Sequence, residues 1–203
     1  GGRPLGSAGP FFWDLDIAVG CVNYSDGQTL KASAMNGRTA NISIPSSCGS
    51  GLHRNIVADI PSSDGSDKIV LLGAHYDTVM CEGYIDNTAS VATLLETARV
   101  IQEAKTSGEI ELRYNLRFVA FAGEEMGLVG SIHYVKDHLD ELPDHVAVMV
   151  ADCIGSRTLE VTYAYSTGDP NINEVVEQAS QTLDVTFSIA QMAGSDQTTV
   201  SYT

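Results

Sequence analysis

The chain lacks a long apolar stretch, has few basic residues and contains no closely spaced cysteines. No run of 18 apolar residues occurs in the 203-residue sequence, so no membrane-spanning helix is expected. The 11 Lys and Arg residues face 26 Asp and Glu residues, which gives a formal net charge of −15. That charge repels phosphates and anionic lipids, so we expect neither nucleic acid nor a membrane as a partner.

The four cysteines lack the Cys-x-x-Cys spacing of a thiolate zinc site. Cys21 and Cys48 flank a stretch rich in Ser, Gly and Asn, and either form a disulfide or are unrelated thiols. Cys81 and Cys153 lie beside the acidic clusters described below. They either form a disulfide or are two separate thiols.

The chain also lacks an initiator Met, because it begins Gly1-Gly2-Arg3, and this start indicates a processed or trimmed product. Two glycosylation sequons begin at Asn23 and Asn41. Together with the strong negative charge, they lead us to expect a secreted or extracellular protein.

The sequence has enough apolar content for one folded domain over residues 1–203, since 43% of it is hydrophobic and 18% is charged. Residues 1–52 are rich in Gly, Ser and Asn, and predict loops with two short strands near residues 17–19 and 42–44.

Strand and helix patterns alternate from residue 55 onwards, which predicts an α/β fold with a mixed, largely parallel β-sheet between helices. The predicted strands cover residues 55–60, 69–74, 113–122, 146–151, 158–165 and 185–190. The predicted helices cover residues 86–105, 128–139 and 171–183. Apolar residues recur at helical spacing in the first helix, at Val91, Leu94, Leu95, Ala98 and Ile101.

Three acidic clusters each follow an apolar run without alternation, which is typical of strands buried on both faces. The runs 69–74, 116–123 and 146–151 lead into the three clusters. Because ligands bind beyond the carboxyl ends of such strands, we expect these side chains at one edge of the sheet. The clusters contain His75, Asp77, Glu124, Glu125 and Asp152.

With Asp86 added, this set has five carboxylates and one imidazole, which repel one another without a cation between them. Oxygen and imidazole ligands suit Zn, Mn or Co, and a carboxylate-rich set suits two metals better than one. A carboxylate that is not a ligand then takes a proton from the attacking water, and the Glu124-Glu125 pair suits this division of roles. Asp77 lies on the same side of an extended segment as His75, so it either accepts a bond from the imidazole or braces the loop.

Each residue also has a structural explanation when it is considered alone. Asp86 suits a helix N-cap, and Asp152 suits a cap at a strand end. The Glu124-Glu125 pair suits a solvated turn, and His75 a structural histidine. The combination of three strand ends favours the metal site.

Three segments resemble the M28 family of dizinc aminopeptidases: GAHYDT at residues 73–78, IDNTAS at 85–90 and GEEMGLVGS at 123–131. The similarity extends from about residue 55 to residue 196, and Ser195-Asp196 resembles a further family string. The resemblance implies a mixed sheet of about eight strands between helices. It also implies removal of N-terminal residues from peptides with a free amino terminus.

The resemblance assigns a role to each candidate residue. His75 and Asp152 are expected to bind one zinc, Asp86 to bridge both zincs and Glu125 to bind the second. Glu124 is the implied general base, acting on a water that the metals share, and Asp77 supports His75.

The chain departs from the family pattern because it lacks the fifth metal ligand. The family has a further histidine ligand near the end of the domain, and no histidine follows His145 here. The second zinc therefore lacks one ligand in this chain, which is expected to be incomplete at the C-terminus.

The leading hypothesis is thus a zinc aminopeptidase. The alternatives are a glutaminyl-cyclase-like enzyme on the same scaffold and a catalytically impaired structural or assembly subunit. A homo-oligomer is left open.

Overall fold

The chain divides into two units, residues 1–52 and residues 53–203, which are described separately. A computed structural model describes residues 22–41, 51–79, 81–155, 162–166, 168–190 and 194–201. None of the described helices combines the length and apolarity needed to span a membrane.

In the first unit, helix α1 (Tyr24–Met35) stands where the sequence predicted loops, so that prediction is wrong for this segment. The Asn23 side chain caps the helix by accepting a hydrogen bond from the Asp26 amide at 2.9 Å. No residue of α1 is buried, and a helix without an apolar face has no periodic pattern to detect. The strands predicted near residues 17–19 and 42–44 lie outside the described residues.

The second unit alternates strands and helices, as predicted. Its strands are β1 (Ile56–Ile60), β2 (Ile69–His75), β3 (Asn115–Phe121), β4 (His145–Val150), β5 (Thr162–Tyr165) and β6 (Phe187–Ala190). Its helices are α2 (Ala89–Thr106), α3 (Val129–Asp137), α4 (Pro170–Leu183) and α5 (Asp196–Ser201). The short helix α5 was not predicted, and the boundaries of the other helices differ from the predicted ones by up to three residues.

Strands β1 to β4 form one sheet in the order β1-β3-β2-β4. Strand β2 pairs in parallel with both β3 and β4, whereas β1 is antiparallel to β3. The remaining described strands, β5 and β6, form a parallel pair. The predicted α/β fold with a mixed, largely parallel sheet is therefore confirmed. Six strands lie within the described ranges, against the family's expected eight.

Helices cover both faces of the four-stranded sheet. On one face Leu94 of α2 packs in a cluster with Ala74 and Phe118. On the other face Tyr134 of α3 and Val200 of α5 share a cluster with buried strand residues, including Leu71, Val119 and Phe121. Burial of these side chains from water is the main stabilising contribution to the sheet.

Two burial predictions are wrong. Leu95 of α2 is 67% exposed, although it was predicted to lie on the apolar face. Val146 and Met149 of β4 are 45% and 54% exposed, because β4 is at the edge of the described sheet rather than inside it. In α3, Gly130, Ser131, Tyr134 and Val135 form the buried face, whereas Ile132 is exposed.

Candidate metal centre

The carboxyl ends of three neighbouring parallel strands meet at one edge of the sheet. Strand β2 ends at His75, β3 ends just before Glu124, and β4 ends just before Asp152. Since β2 lies between the other two, His75 occupies the middle of this edge. The structure thus places the three clusters together, in the arrangement that their position after apolar runs predicted.

His75, Asp86 and Asp152 form the most compact part of the site. One ligand atom from each of the three lies within 4.8 Å of the others. His75 Nε2 is 3.1 Å from Asp86 Oδ1 and 3.3 Å from Asp152 Oδ1. The imidazole is 1% exposed, whereas Asp86 remains open to solvent at 47%. One nitrogen and two carboxylate oxygens therefore converge on a point that solvent reaches from one side.

Asp86 is not a helix N-cap. It lies in a tight turn over Tyr84–Thr88 with φ −115° and ψ 88°, and α2 begins only after Thr88. The peptide bond that follows Asp86 is cis. The N-cap position of α2 is Thr88, and the Asp86 carboxylate lies against His75 instead.

Asn87 holds the strand end that carries Asp152, and the sequence analysis did not single it out. The Asn87 side chain is buried, donates to Ala151 O at 3.1 Å and accepts from Cys153 N at 3.3 Å. One amide therefore binds the backbone on both sides of Asp152. The available signal was its position directly after Asp86 within the IDNTAS segment.

Asp77 braces the loop that carries the two glutamates. Its carboxylate accepts hydrogen bonds from the backbone N–H groups of Glu124 at 3.0 Å and Glu125 at 3.1 Å. His75 Nδ1 instead bonds the backbone carbonyl of Asp77 at 3.1 Å, with the carboxylate farther away at 3.6 Å. That bond orients the ring so that Nε2 faces Asp86 and Asp152. Burial raises the pKa of Asp77, but His75 and the two N–H groups outweigh it and hold the pKa below its usual value.

Glu124 stands beside the three-residue group rather than inside it. Its Oε2 is 3.9 Å from His75 Nε2, and its side chain is 15% exposed. Burial, together with the charges of Asp152 and Asp196, raises the pKa of Glu124 to about 7, although His75 opposes the shift. A carboxyl with this pKa both accepts and releases a proton near neutral pH.

Glu125 also lies outside the three-residue group. Burial and the charge of Asp86 raise its pKa. The site therefore brings His75, Asp86 and Asp152 into one ligand set that does not include Glu125.

The carboxylates around His75 favour a positive charge at the position of its ring. Burial of the imidazole lowers its pKa, but Asp152, Asp77 and Glu124 outweigh it and raise the pKa of His75 to about 11. Imidazole nitrogen with carboxylate oxygens is a donor set that zinc accepts. The residues thus fit a zinc ion with His75, Asp86 and Asp152 as ligands.

Asp196 is a further buried carboxylate near the site. It is fully buried, and neither of its oxygens has a hydrogen-bond partner among the described residues. Burial raises its pKa to about 6, an effect to which the charges of Asp77 and Asp152 add, while Ser131 and His75 oppose it. Its neighbour Ser195 is also buried. The Ser195-Asp196 string therefore lies beside the metal centre.

Cys81 and Cys153, the two cysteines beside the site, are free thiols, so no disulfide joins them. Burial and the charges of Asp152 and Asp86 raise the pKa of Cys153 to about 12. Cys21 and Cys48 lie outside the described residues, and their pairing stays a prediction.

Comparison with known proteins identifies the family. The family model described as "Peptidase family M28" matches residues 55–201, which is most of the chain. The protein belongs to peptidase family M28. The resemblance expected from the three sequence segments is thereby confirmed, and the matched M28 region includes every residue of the site.

Curated relatives of this M28 chain include peptidases with several names. Aminopeptidase YwaD from Bacillus subtilis is 46% identical over 82 residues, which cover 40% of this chain and 16% of that protein. A glutamate carboxypeptidase 2 homolog from Caenorhabditis briggsae is 30% identical over 129 residues, covering 63% of this chain and 17% of the relative. A probable zinc metalloprotease from Pyrenophora tritici-repentis is 30% identical over 114 residues, covering 52% and 25%.

Solved structures support the same M28 fold. A peptidase M28 precursor from Shewanella amazonensis has a TM-score of 0.59 and 27% identity, covering 72% of this chain and 33% of its own. A glutaminyl cyclase from an Acidobacteriales bacterium has a TM-score of 0.60 at 19% identity, covering 72% of this chain and 54% of its own. The chain spans between 16% and 25% of the length of the three curated relatives.

Proposed function

We propose that this chain carries the metal centre of a zinc-dependent aminopeptidase. The observation that supports it is the convergence of His75, Asp86 and Asp152, with the partly buried Glu124 carboxyl 3.9 Å from His75 Nε2. A three-ligand metal set with a separate carboxyl of raised pKa is what metal-assisted hydrolysis requires. Membership of the M28 family and a relative named as an aminopeptidase support the same conclusion.

His75, Asp86 and Asp152 would hold the first zinc, and Asp86 with Glu125 would face the second. Bound zinc polarises the scissile carbonyl and lowers the pKa of water, which makes hydrolysis feasible near neutral pH. Asp77 keeps the His75 ring oriented through its backbone carbonyl, so Nε2 stays available as a ligand.

Glu124 is the proposed general base. Its carboxylate takes a proton from the attacking water and passes that proton to the departing amine. The raised pKa of about 7 suits both transfers, because the group binds the proton firmly enough to accept it and weakly enough to release it. Asp77 fixes the backbone of Glu124, so the carboxyl is held beside the ligand set.

The proposed substrates are peptides with a free amino terminus. Several carboxylates at one solvent-accessible edge favour a positively charged α-ammonium group over a blocked terminus. The net charge of −15 adds a general attraction for cationic ligands. An extracellular location remains a proposal that rests on the sequons and the composition.

The decisive experiment is the substitution Glu124→Gln. We expect it to reduce hydrolysis of an N-terminal peptide bond by at least about 100-fold, because general-base catalysis contributes roughly 10²–10⁴-fold. Zinc content should stay at the wild-type level, since Glu124 is not a proposed ligand. The exposed Glu109→Gln removes the same charge away from the site and should keep wild-type activity. Near-normal turnover by Glu124→Gln with zinc bound would refute the assignment.

The ligand geometry also favours a second candidate, a glutaminyl-cyclase-like enzyme. Within the described residues only one three-ligand group forms, and Glu125 stands outside it. A single zinc with ammonia release from peptides that begin with glutamine would identify a cyclase. Two zincs with release of free N-terminal residues would identify the aminopeptidase, and absence of bound zinc would favour a structural or assembly subunit.

A further inference from the structure

The loop that carries Glu124 and Glu125 is joined at its two ends by one side chain. This loop leaves β3 at Ala122 and enters α3 at Val129 and Gly130. Asn55, the residue before β1, accepts a hydrogen bond from Ala122 N at 3.1 Å and donates one to Gly130 O at 2.8 Å. A single amide therefore connects the start of the loop to its end.

The backbone of Gly130 lies directly against Ala122 and Asn55. A Cβ placed on Gly130 would overlap Ala122 O and would come within 2.7 Å of Ala122 N and 2.6 Å of Asn55 Oδ1. The first turn of α3 consequently lies directly against the end of β3. The amide of asparagine supplies both the acceptor and the donor that these two contacts use.

Asn55 is itself fixed by the sheet. The next residue, Ile56, pairs with Ala120 of β3. The Asn55 side chain is therefore attached to the backbone one residue before the β1–β3 pairing begins. On the other side of β3, Asp77 follows β2 and accepts from Glu124 N and Glu125 N. Side chains from the two strands that flank β3 thus hold the same loop, one at its ends and the other at its middle.

We propose that Asn55 is a positioning residue that sets the place of Glu124 and Glu125 relative to the zinc ligands. This inference rests on the proposed function, because it gives Asn55 its effect through the proposed base and the proposed second ligand. Asn55 acts through the loop backbone, since its own hydrogen bonds go to Ala122 and Gly130.

The test compares two variants with a matched control. Asn55→Ala removes both bonds, and Asn55→Asp keeps the acceptor for Ala122 N while it loses the donor to Gly130 O. The control is Asn115→Ala at the opposite end of β3, where the amide makes the same kind of bridge by accepting from Ser62 N at 2.9 Å and donating to Ser66 O at 2.7 Å. Asn55 and Asn115 are both half-buried.

The first measurement does not depend on activity. In hydrogen exchange of the zinc-loaded protein, the N–H groups of Glu124 and Glu125 should exchange at least about 10-fold faster in Asn55→Ala than in wild type, because local opening exposes hydrogen-bonded N–H groups to exchange. They should keep wild-type rates in Asn115→Ala. Binding of the second zinc should weaken in Asn55→Ala while the first zinc stays bound, since only Glu125 belongs to the loop.

The second measurement is the steady-state rate. We expect Asn55→Ala to lower kcat by roughly 10–100-fold with little change in KM, because a displacement of about 1 Å in a reacting group costs up to about 100-fold. Asn55→Asp should fall between wild type and Asn55→Ala. Asn115→Ala should keep wild-type kcat even if its stability falls.

The inference fails if the loop N–H groups of Asn55→Ala exchange as in wild type, or if Asn115→Ala shows the same losses. If Asn55→Ala does not fold, Asn55→Asp decides the question by the same criteria. If wild-type protein binds zinc but hydrolyses no peptide, the proposed function is contradicted. In that case the exchange rates still decide whether Asn55 holds the loop.

Discussion

At the scale of single residues, three side chains each bind two backbone positions around the metal centre. Asn87 bonds the backbone on both sides of Asp152, and Asp77 accepts from two consecutive N–H groups of the glutamate loop. Asn55 joins the ends of that loop. The proposed reacting groups are thus held through their backbones, which leaves their side-chain oxygens free for a metal or a proton.

A second polar network lies at the opposite end of the sheet. Tyr134 Oη and His145 Nε2 are 2.9 Å apart, while His145 Nδ1 bonds Glu141 O at 3.0 Å. Because a carbonyl only accepts, Nδ1 carries a proton. The pKa of His145 lies below its usual value, so the ring is neutral near pH 7 and Nε2 accepts from Tyr134 Oη. Arg117 donates to Tyr134 Oη and pairs with Asp59 and Glu141, so the network joins β1, β3, α3 and β4.

This network predicts that His145 destabilises the folded chain in acid. Burial and the Arg117 charge lower the pKa of His145 below its usual 6.5, so the folded chain binds fewer protons there than the unfolded chain. The contribution of His145 to the free energy of unfolding should therefore fall as the pH drops below about 6.5. In urea titrations, the change in the free energy of unfolding from pH 7 to pH 5 should be less unfavourable in His145→Gln than in wild type. The exposed His133→Gln should show the same change in the free energy of unfolding as wild type. An equal change in all three proteins would contradict the prediction.

The residues of the site differ in how far the sequence predicts them. His75 and Asp152 could be placed because each follows an apolar strand pattern, and parallel strands bring their ends together. Asn55 and Asn87 could not be placed from the pattern. Their importance depends on bonds to backbone groups 64 to 75 residues away, which no local periodicity encodes.

At the scale of elements, the apolar stripe of α2 is narrower than its sequence suggests. Leu94 is 8% exposed and packs with Ala74 and Phe118, whereas its neighbour Leu95 is 67% exposed. Helical spacing limits a buried face to an arc, and the side of the arc that packs is decided by the sheet. For this reason the sequence predicted the helix but not the exposure of Leu95.

These two leucines give a matched pair of substitutions. Leu94→Ala should lower the free energy of unfolding by about 2–5 kcal/mol, because it leaves a cavity between α2 and the sheet. Leu95→Ala should change it by less than about 0.5 kcal/mol, as is usual for exposed positions. Denaturant titrations of both variants measure the difference directly. A similar loss for both would show that Leu95 is also buried.

At the scale of the whole molecule, the fold class was predictable from the sequence, but the extent of the sheet was not. The alternation of strands and helices was enough to predict the α/β class, since only a few layer arrangements bury such elements. The extent of the sheet was not predictable in the same way. Whether β4 is interior or at an edge depends on pairing partners rather than on its own residues.

Zinc should stabilise the folded protein and chelation should reverse the effect. Zinc at about 100 times its Kd adds about 2.7 kcal/mol to the free energy of unfolding. For a chain of this size that corresponds to a rise in Tm of roughly 5–10 °C. Thermal denaturation with zinc, and with zinc plus a chelator, measures both changes. Asp152→Asn, which removes one proposed ligand, should abolish most of the rise, and an undiminished rise in this variant would exclude the proposed site.

The order β3-β2-β4 in the sheet determines the stage of folding at which the metal site forms. His75 and Asp86 are close in the chain, but Asp152 is 77 residues beyond His75 and reaches it only after β4 has paired with β2. Closing such long segments costs entropy that short-range contacts do not repay. A nascent or partly folded chain therefore contains two of the three proposed ligands without their geometry, and tight zinc capture would mark the completion of the sheet.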